Sequence, residues 1–180
     1  MTTTIKLPPI TDCEVVITRI IKAPRERVFK AWTDPREMAQ WWGPKTFTNP
    51  VCEMDVRPGG AYRIVMRSPD GVDYPLKGVY REVVRPERLV MTMDLSEHPD
   101  AWHDMLDPGR DKSKGRPPLY PLCTVSFEDA GEGNTRLTIR MSFASPTLRN
   151  AMVKMGMEAG WGQSLDRLEA LVAPRRPMHA

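Results

Sequence analysis

"AQWWGPKTFTNPVCEMDVRPGGAYRI", residues 39–64, is a junction between two kinds of structure. Upstream, "DPREMAQWW" (34–42) reads as a short helix: Asp34 is an N-cap and Pro35 sits at the first helical position, where its missing N–H costs nothing. Met38, Trp41 and Trp42 fall at i, i+3 and i+4 and so share a face. Gly43-Pro44 then stops the helix. Downstream, 50–56 and 61–67 read as strands around the breaker "RPGG" (57–60). Two of the chain's five tryptophans stand at this junction. They are core filler, the wall of a ligand pocket, or a contact surface for another protein. The preferred assignment packs Trp42 in the core and puts Trp41 nearer to ligand or solvent.

Working outward, "CEVVITRIIK" (13–22) is β-branched and predicts a strand. "APRERVFKAWT" (23–33) predicts a helix, with Pro24 in its first turn and Val28, Phe29 and Trp32 on one face. Further strands are predicted at 72–84, 88–95, 119–128 and 134–143, separated by turn-rich segments. Asp70-Gly71 suggests a type I′ hairpin turn. Short strands joined by tight turns imply an antiparallel meander. Leu137, Ile139, Met141 and Phe143 alternate with Arg136, Thr138, Arg140 and Ser142, so one sheet face is apolar and needs a cover.

The cover is 145–172, capped by Ser145 with Pro146 at the first position. It carries one apolar stripe through Leu148, Met152 and Met155, and another through Val153, Met157, Trp161 and Leu165. The second stripe predicts burial against the N-terminal helices, with a homodimer contact as the alternative. Gly156, Gly160 and Gly162 each cost about 1 kcal/mol in a helix interior. They predict a kink, a close approach, or space beneath the helix.

The bulk composition excludes several classes. A net charge of +3 with scattered basic residues is not a nucleic-acid footprint. No apolar run approaches the ~18 residues of a membrane span, and "MTTTIKLPPI" lacks the pattern of a secretory signal, so the expected location is cytoplasmic. Cys13, Cys52 and Cys123 are odd in number and widely spaced, which argues against a disulfide framework or a cysteine zinc site. The expected organisation is a loose lead-in (1–12), one domain (13–173) and a tail (174–180). A polar segment, 96–118, is inserted between two strands as a long loop.

The order is strand, two short helices, a meander, then a long helix, which is a helix-grip fold of the α+β class. Six to seven antiparallel strands would curve around the C-terminal helix. "IKAPRERVFKAWTDPREMAQWWGP", "RPGGAYRI", "GVYREVVRPERLVMTM" and "GWGQSLDRLEALV" together resemble the SRPBCC (START-like, Bet v 1-like) superfamily. More narrowly, they resemble the branch named for the C-terminal domain of the Hsp90 ATPase activator Aha1. The resemblance covers residues 14–172. It implies a cavity between sheet and long helix that takes hydrophobic or amphipathic small molecules, and it brings no shared catalytic constellation.

Twelve methionines in 180 residues is a high count. Methionine is flexible and polarizable and suits an adaptable pocket. The expected cavity lining is therefore Met66, Met91, Met93, Met141, Met152 and Met155, with Phe143, Trp41 and Trp42. Tyr62, Tyr80, Tyr120 and Glu82 would supply polar groups. An inward Glu82 would have a raised pKa and could anchor or protonate a ligand; the favoured alternative pairs it with an arginine such as Arg63. His98 and His103 flank Trp102 with Asp104 and Asp107 nearby, but their spacing matches no standard metal-ligand pair and solvated loop histidines are expected. No G-x-S-x-G or phosphate-binding glycine loop occurs. The expectation is a non-catalytic, cofactor-free small-molecule binder, monomer or homodimer. A chaperone-type protein-interaction module and a cavity enzyme are the alternatives.

Overall fold

The structure, a computed structural model, describes residues 9–175. The segments 1–8 and 176–180, which hold most of the predicted lead-in and tail, lie outside the described residues.

Strand β1 (Glu14–Ile21) leads into helices α1 (Arg25–Thr33) and α2 (Pro35–Trp41). Pro24 precedes α1 as its N-cap. In α2 the Asp34 carboxylate accepts from the Arg36 and Glu37 backbone N–H groups at 2.8 and 3.4 Å, with Pro35 at the first helical position. The chain then forms β2 (Thr48–Met54), β3 (Ala61–Arg67), β4 (Asp73–Val84), β5 (Arg88–Thr92), β6 (Leu122–Gly131) and β7 (Asn134–Ser142). These strands form one antiparallel seven-stranded sheet in the order β1-β7-β6-β5-β4-β3-β2. The α+β helix-grip architecture is the one the element order predicts.

The turns differ in one detail. Gly71 alone has positive φ (85°) in the 68–71 turn, so Asp70-Gly71 is not the expected type I′ pair. That geometry occurs instead at Glu132-Gly133, with φ of 54° and 74°, between β6 and β7.

The C-terminal cover is two helices, α4 (Pro146–Lys154) and α5 (Met157–Val172). Ser145 caps α4 by accepting from the Leu148 N–H at 3.1 Å. The break falls at Gly156, whose φ of +89° is left-handed; Gly pays no Cβ penalty there. This break resets the helical phase. Met152 and Met155 before it and Met157 and Trp161 after it therefore face one cavity, although a continuous helix would put them on opposite sides.

The inserted segment 96–118 contains α3 (Asp100–Leu106) and a turn of 3-10 helix at Lys112–Lys114, where the sequence suggests only loop. Pro99 enters the first turn, Asp100 favours it electrostatically, and His103 and Leu106 bury one short face. Ion pairs brace the segment: Arg110 with Asp104 at 2.8 Å, Arg116 with Asp100 at 2.9 Å, and Glu97 with Arg63 of β3 at 3.1 Å.

Four of the five tryptophans form one cluster under α5. Trp32 of α1 contacts Trp41, Trp42 and Trp161 at ring-centroid distances of 4.8, 5.9 and 6.1 Å, and Trp161 contacts Trp42 at 5.3 Å. Trp161 of the Val153–Leu165 stripe thus packs on Trp32 of α1 and on Trp42 just after α2, in line with the expected burial against the N-terminal helices. At the other end of the grip, Glu14 and Arg140 meet at 2.7 Å. Arg140 also donates to the Pro9 carbonyl at 2.7 Å, so the end of the lead-in is tied to the sheet.

Candidate functional site

A cavity of about 240 Å³ lies between the sheet and the paired C-terminal helices. Met66, Met93 and Met141 rise from the sheet side, and Met152, Met155 and Met157 come down from α4 and α5. Half of the chain's twelve methionines therefore line one space. Trp42, Gly43 and Pro44 form one end, and His98 and Trp102 of the inserted segment form another part of the wall.

The junction motif shapes this space. Helix α2 ends at Trp41, and Trp42 already has extended backbone (φ −65°, ψ 133°). The two rings still meet edge to face at 5.5 Å between centroids, but their surroundings differ. Trp41 is fully buried and donates its indole N–H to the Ala31 carbonyl at 2.9 Å. Trp42 turns to the cavity wall. Trp42 is in the core as expected, 5% exposed, and lines the cavity as well; Trp41, expected nearer the ligand or solvent, is sealed away from both. Gly43 follows at φ +89°, and a Cβ there would stand 2.8 Å from the Met66 sulfur. The turn is closed from α5 by a residue that sequence reading did not single out. Arg167 donates to the carbonyls of Gln40, Trp42, Gly43 and Pro44 at 2.9–3.0 Å. Asn49 of β2 adds bonds to the Ala39 and Trp42 carbonyls at 3.0 and 2.8 Å.

Of the other expected lining residues, Met91, Phe143, Tyr62 and Tyr80 are buried outside the cavity wall. Tyr62 lies across β4 at Gly78, its strand partner, and donates to the Thr92 carbonyl at 2.5 Å. Only glycine fits there, because a Cβ at Gly78 would come within 2.0 Å of that carbonyl oxygen. Tyr80 contacts Tyr62 at 5.4 Å between ring centroids, and burial raises both phenol pKa values.

Glu82 does not face inward. A bulge in β4 between Tyr80 and Glu82 shifts the register against β5, which inverts the alternation beyond it. Glu82 is exposed and pairs with Arg88 at 2.8 Å; Arg63, its expected partner, pairs with Glu97 instead. Tyr120 is also on the surface, 60% exposed. It borders a wider depression of about 700 Å³ on the outer sheet face, whose walls include Glu53, Arg63, Lys77 and Asp94. That depression is larger, but its charged walls do not suit an apolar guest, so the methionine cavity is the better candidate.

The two histidines are buried, not solvated. His103 is 1% exposed and its Nε2 bonds to the Ser96 carbonyl at 3.1 Å. His98 is 4% exposed, lies between the Tyr74 and Trp102 rings, and makes an Nδ1 bond of 2.9 Å to the Pro75 carbonyl. Burial pushes its pKa down to about 4, so the ring is neutral at pH 7. Among the described residues no cluster of three or more His, Cys, Asp or Glu could hold a metal ion. No helix among them is long and apolar enough to cross a membrane.

The family description "Activator of Hsp90 ATPase homolog 1-like protein" matches residues 22–173, most of the chain and all of the cavity. The chain belongs to that family. Solved structures with the same fold include a protein of Chromobacterium violaceum at 28% identity and TM-score 0.70, covering 90% of this chain and 99% of that one. A protein of Nitrosomonas europaea shares 24% identity at TM-score 0.73, with 92% and 97% coverage. The AHSA1 protein of Silicibacter pomeroyi shares 21% at TM-score 0.66, with 89% and 97% coverage. The last two show the fold alone. No curated protein matches the chain.

Proposed function

We propose that this chain is a non-catalytic binding protein that holds a small apolar or amphipathic molecule between the sheet and the paired C-terminal helices. The observation that carries this reading is the cavity of about 240 Å³ lined by six methionines and three tryptophans. At ~20 Å³ per aromatic heavy atom at interior packing density it takes roughly twelve heavy atoms. Burying ~200 Å² of apolar ligand surface is worth ~5 kcal/mol. Before the entropic cost of immobilisation, that corresponds to a Kd of roughly 0.2 mM. Titration with small aromatics, followed by thermal shift and by tryptophan fluorescence, should show saturable binding. A broad set of lipids, polyketides and aromatics that all fail to bind would refute the reading.

A protein-interaction role is the second reading, supported by the family's description as related to an Hsp90 ATPase activator. Addition of this chain would then raise the ATPase rate of a chaperone of the Hsp90 type, and an unchanged rate would remove that reading. The enzyme alternative loses its main candidate acid/base, because Glu82 is exposed and paired with Arg88.

A further inference from the structure

We propose that the cavity selects an uncharged ligand carrying a hydroxyl group, and that this hydroxyl donates its hydrogen to Nε2 of His98. The inference rests on the binding role proposed above and specifies the ligand class. Its first support is the tautomer of His98. Nδ1 lies 2.9 Å from the Pro75 carbonyl oxygen. A carbonyl only accepts, so in the neutral ring Nδ1 carries the hydrogen and Nε2 presents a lone pair. His98 is 4% exposed and lines the cavity; its Nε2 makes no hydrogen bond to the described residues and is not among their side-chain atoms sealed from solvent without a partner, so it is open to a guest.

A second support is the chemistry of the rest of the wall. It contains no Lys, Arg, Asp or Glu. A carboxylate or ammonium head would lose its hydration there and meet no opposite charge, which is strongly unfavourable. Ser164 directs its hydroxyl hydrogen to the Gly160 carbonyl at 3.2 Å, which leaves its oxygen as an acceptor too. The indole N–H groups of Trp42, Trp102 and Trp161 belong to rings in the same wall and can only donate. A hydroxyl both donates and accepts, so it satisfies either kind of partner. A fatty-acid anion does not fit, and an alcohol or phenol of about ten heavy atoms does.

Four probes of nearly equal size separate the outcomes: 1-naphthol, 1-methoxynaphthalene, 1-methylnaphthalene and 1-naphthoate. With wild-type protein, 1-naphthol should bind roughly tenfold more tightly than the methoxy and methyl compounds, and naphthoate should bind most weakly. His98→Asn keeps a donor for the Pro75 carbonyl and removes the Nε2 acceptor; measured on the variant itself, the ratio of naphthol to methylnaphthalene affinity should fall to about one. Nitrogen-detected NMR of the free protein should find the hydrogen on Nδ1, a readout independent of any variant. Equal binding of the three neutral probes, or an Nε2–H tautomer, would overturn this inference and leave the apolar cavity reading standing. Tightest binding by naphthoate would overturn the neutrality argument. Binding of none of the four would overturn both readings.

Discussion

Gly160→Leu should make the protein more stable and a worse binder. Met157, Gly160, Trp161 and Ser164 all line the cavity, and their i, i+3, i+4, i+7 spacing places them on one helical face. A side chain at 160 therefore stands on the cavity face of α5. A Cβ there meets nothing within 4 Å, and the backbone is not in the left-handed region. Replacing a helix-interior Gly by Leu recovers ~0.8 kcal/mol of helix propensity. Burial of the leucine in apolar surroundings adds to this. For a chain of this size ~1 kcal/mol raises Tm by roughly 2–4 °C. The four added carbons, at ~30 Å³ each, fill about half of the cavity of about 240 Å³. Calorimetry or a thermal melt reads the first effect, and titration with 1-methylnaphthalene reads the second, where an affinity loss of at least about tenfold is expected. A lower Tm would show that the glycine serves tight packing and not open space. A higher Tm with unchanged binding would place the ligand elsewhere.

Three other perturbations test the frame around the cavity. Gly43→Ala imposes a Cβ at φ +89° and 2.8 Å from the Met66 sulfur; it should cost ~1–2 kcal/mol in urea unfolding. Arg167→Ala removes the donor to four carbonyls of the 40–44 turn; the loss should be ~2–3 kcal/mol, and Arg167→Lys, which lacks the planar fork, should recover only part of it. Glu14 is held at a pKa of about 2, against an ordinary 4.5, chiefly by its hydrogen bond to Arg140. Its stabilisation is therefore full above pH 4.5 and is lost as pH falls towards 2, by on the order of 3 kcal/mol at ~1.36 kcal/mol per pH unit. Glu14→Gln should lower the urea midpoint at pH 7 and flatten its decline between pH 5 and 3; an unchanged slope would assign the acid sensitivity to other groups.

The strands and most helix caps were legible because their causes are local. Alternation marks Leu137 through Phe143, and Asp34-Pro35 and Ser145-Pro146 act on their own helix ends. The candidate site was legible in composition more than in detail. Trp42, Met66, Met93, Met141, Met152 and Met155 do line the cavity, but each misassignment has a nonlocal cause. Trp41 and Trp42 have different surroundings because the helix stops between them, and Trp41 is held by donating to the Ala31 carbonyl of the preceding helix. Glu82 faces outward because of a bulge set by pairing with β5. His98 is buried because the inserted segment folds back onto Pro75 and Tyr74, far away in sequence. Arg167 looked like one surface charge among many, and nothing near it in sequence reveals that its partners lie over a hundred residues upstream.

The central claim is that the methionine-lined space is where a small apolar molecule binds. Methionine methyl NMR during titration with 1-naphthol tests it most directly. Met66, Met93, Met141, Met152, Met155 and Met157 should shift and saturate together, whereas Met105, 65% exposed on α3, should not move. Saturable binding that leaves those six methyl resonances in place would contradict the account.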